Sequence, residues 1–221
     1  MDIDALLDLL KNAESTEEID EYRDEIEDLM PSIALMFDYD QQNYAHQYDL
    51  WTHCLQTVVN LPKSIDDDMV YLAALVHDIG KPFCQTEGEK YGKINMHYYG
   101  HPEKSAEIVE NEVIPEILRN NRLTEDEQNR LVYYIKFHDD RVSLRMKHLR
   151  KHLNMGATLQ EFKNLMQLQI ADAKAHIIIP VIQERIDICT QLSGEYANTL
   201  YNEIMKDMKE KNRSSRDDDE R

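Results

Sequence analysis

Glycine, proline and cysteine are all scarce in this chain of 221 residues, which holds six, six and three of them. So few glycines, with no Asn-Gly step between alternating apolar runs, argue against a fold of strands joined by tight hairpins. The cysteines Cys54, Cys84 and Cys189 are odd in number, far apart and free of any CxxC spacing, which excludes a disulfide framework and points to a reducing compartment. Long apolar runs are missing too: Ile177 to Ile182, like every other apolar run in the chain, is far too short to span a bilayer. The N-terminus is acidic rather than basic-then-apolar, so no secretory signal is read there and a cytoplasmic location is expected. Basic residues are outnumbered, 25 Lys and Arg against 43 Asp and Glu, for a net charge of −18. That balance disfavours a general nucleic-acid binder, whose affinity for phosphates comes mostly from Lys and Arg.

What is present is helical patterning. In the acidic stretch Met1 to Met30, Leu6, Leu7, Leu9 and Leu10 and then Ile19, Tyr22, Ile26 and Leu29 recur at helical spacing, with Ser15 and Glu18 as a capping box between two short helices. We read residues 1–40 as an acidic helical hairpin packed on a main domain over 41–205. The charged segment 206–221, apolar only at Met208, reads as a disordered tail. Within the main domain, Leu50 to Leu61, Asp66 to His77, Pro102 to Arg119, Thr124 to Phe137, Ser143 to Leu153, Thr158 to Lys174 and Pro180 to Met205 each carry an apolar stripe at i, i+3, i+4. Thr124 with Glu127 and Thr158 with Glu161 form capping boxes. Pro82 to Gly100 leaves a strand pair and a plain loop both open. The fold class is therefore all-α, a helical bundle.

The chemistry lies in histidines paired with acids in the order His53, His77-Asp78, His101, His138-Asp139 and Asp172. The doublet His77-Asp78 closes a strongly apolar helix, where two uncompensated polar groups would cost several kcal/mol. A divalent ion removes that objection, and imidazole with carboxylate suits Fe, Mn, Ni, Mg or Zn. We assign His53, His77, Asp78 and Asp172 to one ion, with Asp78 bridging to a second held by His101 and His138. Six ligands are too many for one open site, so two ions are expected, placed to clamp a phosphoryl group and to make hydroxide available at neutral pH.

These residues resemble the HD superfamily of metal-dependent phosphohydrolases over about Tyr44 to His176. The texture is most similar to the HD region in the C-terminal half of bacterial tRNA nucleotidyltransferases, on His46-Gln-Tyr-Asp-Leu-Trp-Thr-His53, Leu-Val-His-Asp-Ile-Gly-Lys-Pro82, Gly100-His101, Phe137-His138-Asp139 and Ile-Ala-Asp172-Ala. Only some fifty residues precede His53, and Asp38-Tyr-Asp40 lacks the Gly-Ser turn that precedes the paired aspartates of the nucleotidyltransferase head. The resemblance thus implies the hydrolase half alone. It implies a small phosphorylated substrate, a nucleotide or cyclic nucleotide, attacked by metal-activated hydroxide, with nucleic acid entering at most as a small fragment or end. Two other readings stay open: a di-iron oxygenase of HD type using the same ligands, and a non-enzymatic nucleotide sensor.

In that frame Asp78, Lys81 and His97 are the expected catalytic residues, His97 as acid to the leaving oxygen, and Lys81, Lys174, Arg141, Arg145 and His46 the expected substrate contacts. Trp51 and Phe83 are read as core or pocket wall, Tyr48 as pocket lining and His176 as packed. His148 and His152 stand four apart, a spacing that metals use, but no acid stands between or beside them in the sequence. No Gly-rich phosphate loop, nucleophile elbow or Cys-His pair competes with the metal reading.

Overall fold

A computed structural model of the chain describes residues 1–90 and 92–219, with side chains described as far as Glu210 except at Lys90. Among the described residues the fold is all-α, apart from one two-stranded hairpin. Helix α1 (Ile3–Asn12) is capped by the Asp2 carboxylate and buries Ile3, Leu6, Leu7 and Leu10. α2 (Thr16–Asp20) and α3 (Arg23–Leu29) follow, then a 3-10 turn over Pro31–Met36. The expected two-helix hairpin is therefore three helices. The Asp20 carboxylate accepts from Arg23 Nε at 2.8 Å and from the indole Nε1 of buried Trp51 at 2.7 Å, which ties the break between α2 and α3 to the body of the protein.

α4 (Leu50–Asn60) starts at the Asp49 cap and packs on α5 (Asp68–Val76), in which every residue from Met69 onward is buried. The hairpin pairs β1 (Thr86–Lys90) with β2 (Lys93–His97), so the stretch that could have been a plain loop is a strand pair. It is stitched to the segment before α4 by Met96 N–H donating to Gln42 O at 3.0 Å and Asn43 Nδ2 donating to Met96 O at 2.7 Å. One helical path then runs through α6 (His101–Ile108), a π turn over Val109–Val113 and α7 (Ile114–Leu118). α8 (Glu125–Phe137) and α10 (Leu159–Lys174) begin with the expected capping boxes at Thr124 and Thr158; α9 (Met146–Asn154) lies between them.

The stripe from Pro180 to Met205 is two helices, α11 (Pro180–Ser193) and α12 (Glu195–Asp219). The break falls at Gly194, whose extended backbone carries no helix-forming side chain to resist it. α12 runs into the segment read as a disordered tail, of which Glu220 and Arg221 lie outside the described residues. One continuous hydrophobic core links Ile3 near the N-terminus to Ile204 in α12. No helix among the described residues is long and apolar enough to cross a membrane.

Helix ends converge where the polar groups lie: His77 caps the C-terminus of α5, His138 caps that of α8, His101 opens α6, and His53 and Asp172 come from α4 and α10. The doublet and α6 are held together at Gly80. Its backbone N–H donates to Ser105 Oγ at 2.9 Å, and an added Cβ would meet Ser105 N at 2.5 Å and His101 O at 2.9 Å. Those atoms are backbone and cannot swing aside. Gly80→Ala is expected to lower the unfolding free energy by about 1–3 kcal/mol, read as a lower urea midpoint at unchanged slope. An unchanged midpoint would mean that α6 does not need this close approach.

Candidate metal centre

Asp78 is the middle of the convergence, and its two oxygens face different histidines. Oδ1 lies 3.1 Å from His101 Nε2 and 3.4 Å from His138 Nε2. Oδ2 lies 3.2 Å from His77 Nε2 and 3.4 Å from His53 Nε2. Asp172 Oδ1 closes the second set, 3.0 Å from His53 Nε2 and 3.6 Å from His77 Nε2. The donor atoms fall into two groups, His53, His77, Asp78 and Asp172, and Asp78, His101 and His138, each with its atoms within 4.8 Å of one another. All six residues are buried.

Backbone carbonyls set the orientation of three rings. His77 Nδ1 meets Ala74 O at 2.8 Å, His101 Nδ1 meets Tyr98 O at 2.8 Å and His138 Nδ1 meets Ile135 O at 2.6 Å. A carbonyl only accepts, so each Nδ1 carries a proton, and in its neutral form each ring turns an Nε2 lone pair inward. This outer shell is the usual one for metal-ligating histidine. Its consequence is that the Nε2 atoms of His101 and His138 stand 3.1 Å apart, lone pair facing lone pair. His77 Nε2 and Asp78 Oδ1 have no hydrogen-bond partner although both are buried. The donor set fits divalent cations, one in each group of donor atoms, which would satisfy these atoms.

Electrostatics points the same way. Burial disfavours the Asp78 carboxylate, yet His77, Lys81, His101 and His138 around it hold its pKa well below the ordinary value. Asp172 behaves likewise, with burial outweighed by His176, His53 and His77. Burial opposes the His77 imidazolium too, but Asp78, Cys54 and Asp172 raise its pKa well above the usual range. His138 is shifted down, by burial first and then by His77 and His101. The two carboxylates thus stay ionised and draw positive charge into a site where one ring resists protonation.

A cavity of about 580 Å³ opens onto the centre, with Asp78, His101, His138 and Asp172 in its wall. Lys81 lines it as well, buried, donating to Asp78 Oδ2 at 2.6 Å and to Gln41 Oε1 at 2.8 Å. His46 and His97 are also in the wall; His97 stacks on exposed Tyr99 with ring centroids 5.4 Å apart, and His46 Nδ1 is buried without a partner.

Lys174, Arg141 and Arg145, expected as substrate contacts, are not brought to the cavity. All three are exposed and absent from the cavity wall. Lys174 is two residues beyond Asp172 on α10, about 200° round the helix, and the two arginines lie on the outer side of the segment leading into α9. Tyr48 does not line the cavity, Trp51 is core, and Phe83 is exposed, so neither aromatic forms the pocket wall.

Sequence reading missed Arg185, which lines the cavity from α11 and fixes the turn after His138 by donating to Asp139 Oδ1 at 2.7 Å and to the Asp139 and Asp140 carbonyls at 3.1 Å. It also passed over Gln41 and the position of His176, which is in the cavity wall with its ring centroid 4.8 Å from that of His53.

Comparison with curated proteins finds no match. A family model described as HD domain matches residues 43–175, more than half of the chain. The matched stretch contains His53, the His77-Asp78 doublet, His101, His138 and Asp172, and the chain belongs to the HD-domain family.

Proposed function

We propose that this protein is a metal-dependent phosphohydrolase that cleaves a small phosphoester, a nucleotide or a cyclic nucleotide. HD-domain proteins are generally hydrolases of this metal-dependent kind. The observation that carries the reading is the division of Asp78, one oxygen toward His101 and His138 and the other toward His53 and His77, at a cavity that also holds a buried lysine. In this proposal His53, His77, Asp78 and Asp172 hold one ion and His101 and His138 hold the other, with Asp78 shared. Bound divalent ions would polarise the phosphoryl oxygens and bring the pKa of a coordinated water to about 7.

The remaining roles belong to the chain itself. Lys81, held by Asp78 and Gln41, keeps one N–H free of those two partners for a phosphoryl oxygen. His46 offers an unpartnered buried Nδ1 beside the centre, and we assign it to the same substrate group. His97, farther out in the wall beside Tyr99, is assigned to protonating the leaving oxygen. A cavity of about 580 Å³ takes a small molecule rather than a folded polymer. The wall combines Tyr99 and the stacked His97 ring with Ile179, Val181 and Ile182, which suits a flat organic group attached to the phosphate. On the sequence resemblance to the HD region of tRNA nucleotidyltransferases, we extend the proposed substrates to 2',3'-cyclic phosphates.

Asp78→Asn keeps the shape of the side chain and removes the shared anion. Hydrolysis of the best substrate in a phosphoester panel is expected to fall by roughly 10³-fold, as when one charge-stabilising group is lost, while far-UV circular dichroism keeps its helical signal. Wild-type turnover in this variant would refute the bridging role.

His138→Ala separates one ion from two. We expect metal analysis to show a loss of roughly one ion per chain, with activity falling alongside. Unchanged metal content with lost activity would place His138 against the substrate over a single ion, and no change in either would make it structural.

A further inference from the structure

A second set of inward-facing histidines lies on α9, away from the centre just described. His148 and His152 stand one turn apart on the buried face of that helix, His148 edge-on against Phe162 and His152 edge-on against Phe137 and tilted against Phe162. Sequence reading finds no acid beside them; the fold supplies Asp140 from the turn after α8. Its Oδ2 lies 3.5 Å from His152 Nε2 and 3.9 Å from His148 Nε2. Both Nε2 atoms are buried and have no hydrogen-bond partner.

Those separations are too long for N–H···O hydrogen bonds, which cluster at roughly 2.7–3.2 Å. The His152 separation matches the ligand-to-ligand edge of about 3.3–3.5 Å in a tetrahedron with metal–ligand bonds of ~2.0–2.1 Å, and the longer His148 separation needs a small inward shift of that ring. The outer nitrogen of His152 is anchored on Tyr133 Oη at 2.9 Å, as a ligating imidazole requires. The Ser143 N–H donates to His148 Nδ1 at 3.4 Å, beyond a good bond; ligation through Nε2 puts the proton on Nδ1, breaks this weak contact and leaves the half-buried Ser143 amide to water.

We propose that Asp140, His148 and His152 form a separate site for a divalent transition-metal ion, of the two-histidine, one-carboxylate type. The Asp140 side chain is 22% exposed, which leaves a route for the ion and a position for water as the fourth ligand. Seated there, the ion braces the turn that carries His138, already gripped by Arg185 and by Gln169 Nε2 donating to Phe137 O at 2.9 Å. It is a structural ion in this role. The Lys151 ammonium, 2.7 Å from Asp140 Oδ2 and itself 46% exposed, competes with it for the carboxylate.

The test is a count of Co(II) bound by the full chain, stripped with chelator and followed by equilibrium dialysis and visible absorption. Wild type should bind one equivalent more than Asp140→Asn, and His148→Gln, on a different element, should lose the same equivalent. Lys151→Met removes a competing cation from the surface, so it should keep that equivalent and bind it tighter by roughly two- to fivefold, the scale of an exposed ion pair. A metal-free polar cluster predicts no extra equivalent in wild type and no tightening in Lys151→Met, and either result overturns the site. Loss in Asp140→Asn with none in His148→Gln would trace the effect to His138 and also overturn it.

Discussion

Two imidazole nitrogens held 3.1 Å apart with their lone pairs facing, beside a buried carboxylate, are what the rest of this structure must accommodate. The repulsion is built in, because the His101 and His138 rings are aimed by the Tyr98 and Ile135 carbonyls and cannot turn without losing those bonds. A cation between them changes the sign of the interaction. On the other side of Asp78, His53, His77 and Asp172 gather as a second buried set. Metal binding there would be linked to folding, since ions held only by the native arrangement stabilise it.

The helical frame is arranged to hold those six side chains against the apolar core. α5 is buried along nearly its whole length, which brings the doublet deep into the protein, and Gly80 lets α6 approach closely enough for His101 to reach Asp78. Arg185 and Gln169 pin the turn after α8 that fixes His138. The N-terminal helices are part of the same core, joined through Asp20 and Trp51. The cavity reaches the centre along a wall made by the hairpin, the segment before α4 and the start of α11.

Much of this was legible because local chemistry announces itself. The capping boxes at Thr124 and Thr158 satisfy orphan amides with nearby side chains, so they appear wherever Thr and Glu stand three apart ahead of an apolar stripe. The convergence of these six buried histidines and aspartates was legible for a related reason, as ionisable groups at the ends of apolar stripes need a partner. The break at Gly194 was overlooked because the stripe continues in phase across it. Other errors came from equating closeness in sequence with closeness in space: Lys174, Arg141 and Arg145 sit near ligands along the chain yet point to solvent. The reverse error hid Arg185 and Gln41, whose places depend on how α11 and the segment before α4 pack, and hid Asp140 as the acid facing His148 and His152.

The most direct test of the centre is anomalous diffraction at the metal edge from crystals grown with Mn(II). Two peaks are expected, one beside Asp78 Oδ1 within bonding distance of the His101 and His138 Nε2 atoms, the other beside Oδ2 among His53, His77 and Asp172. No peak between His101 and His138, with their nitrogens still facing each other at the present separation, would contradict the shared-carboxylate centre.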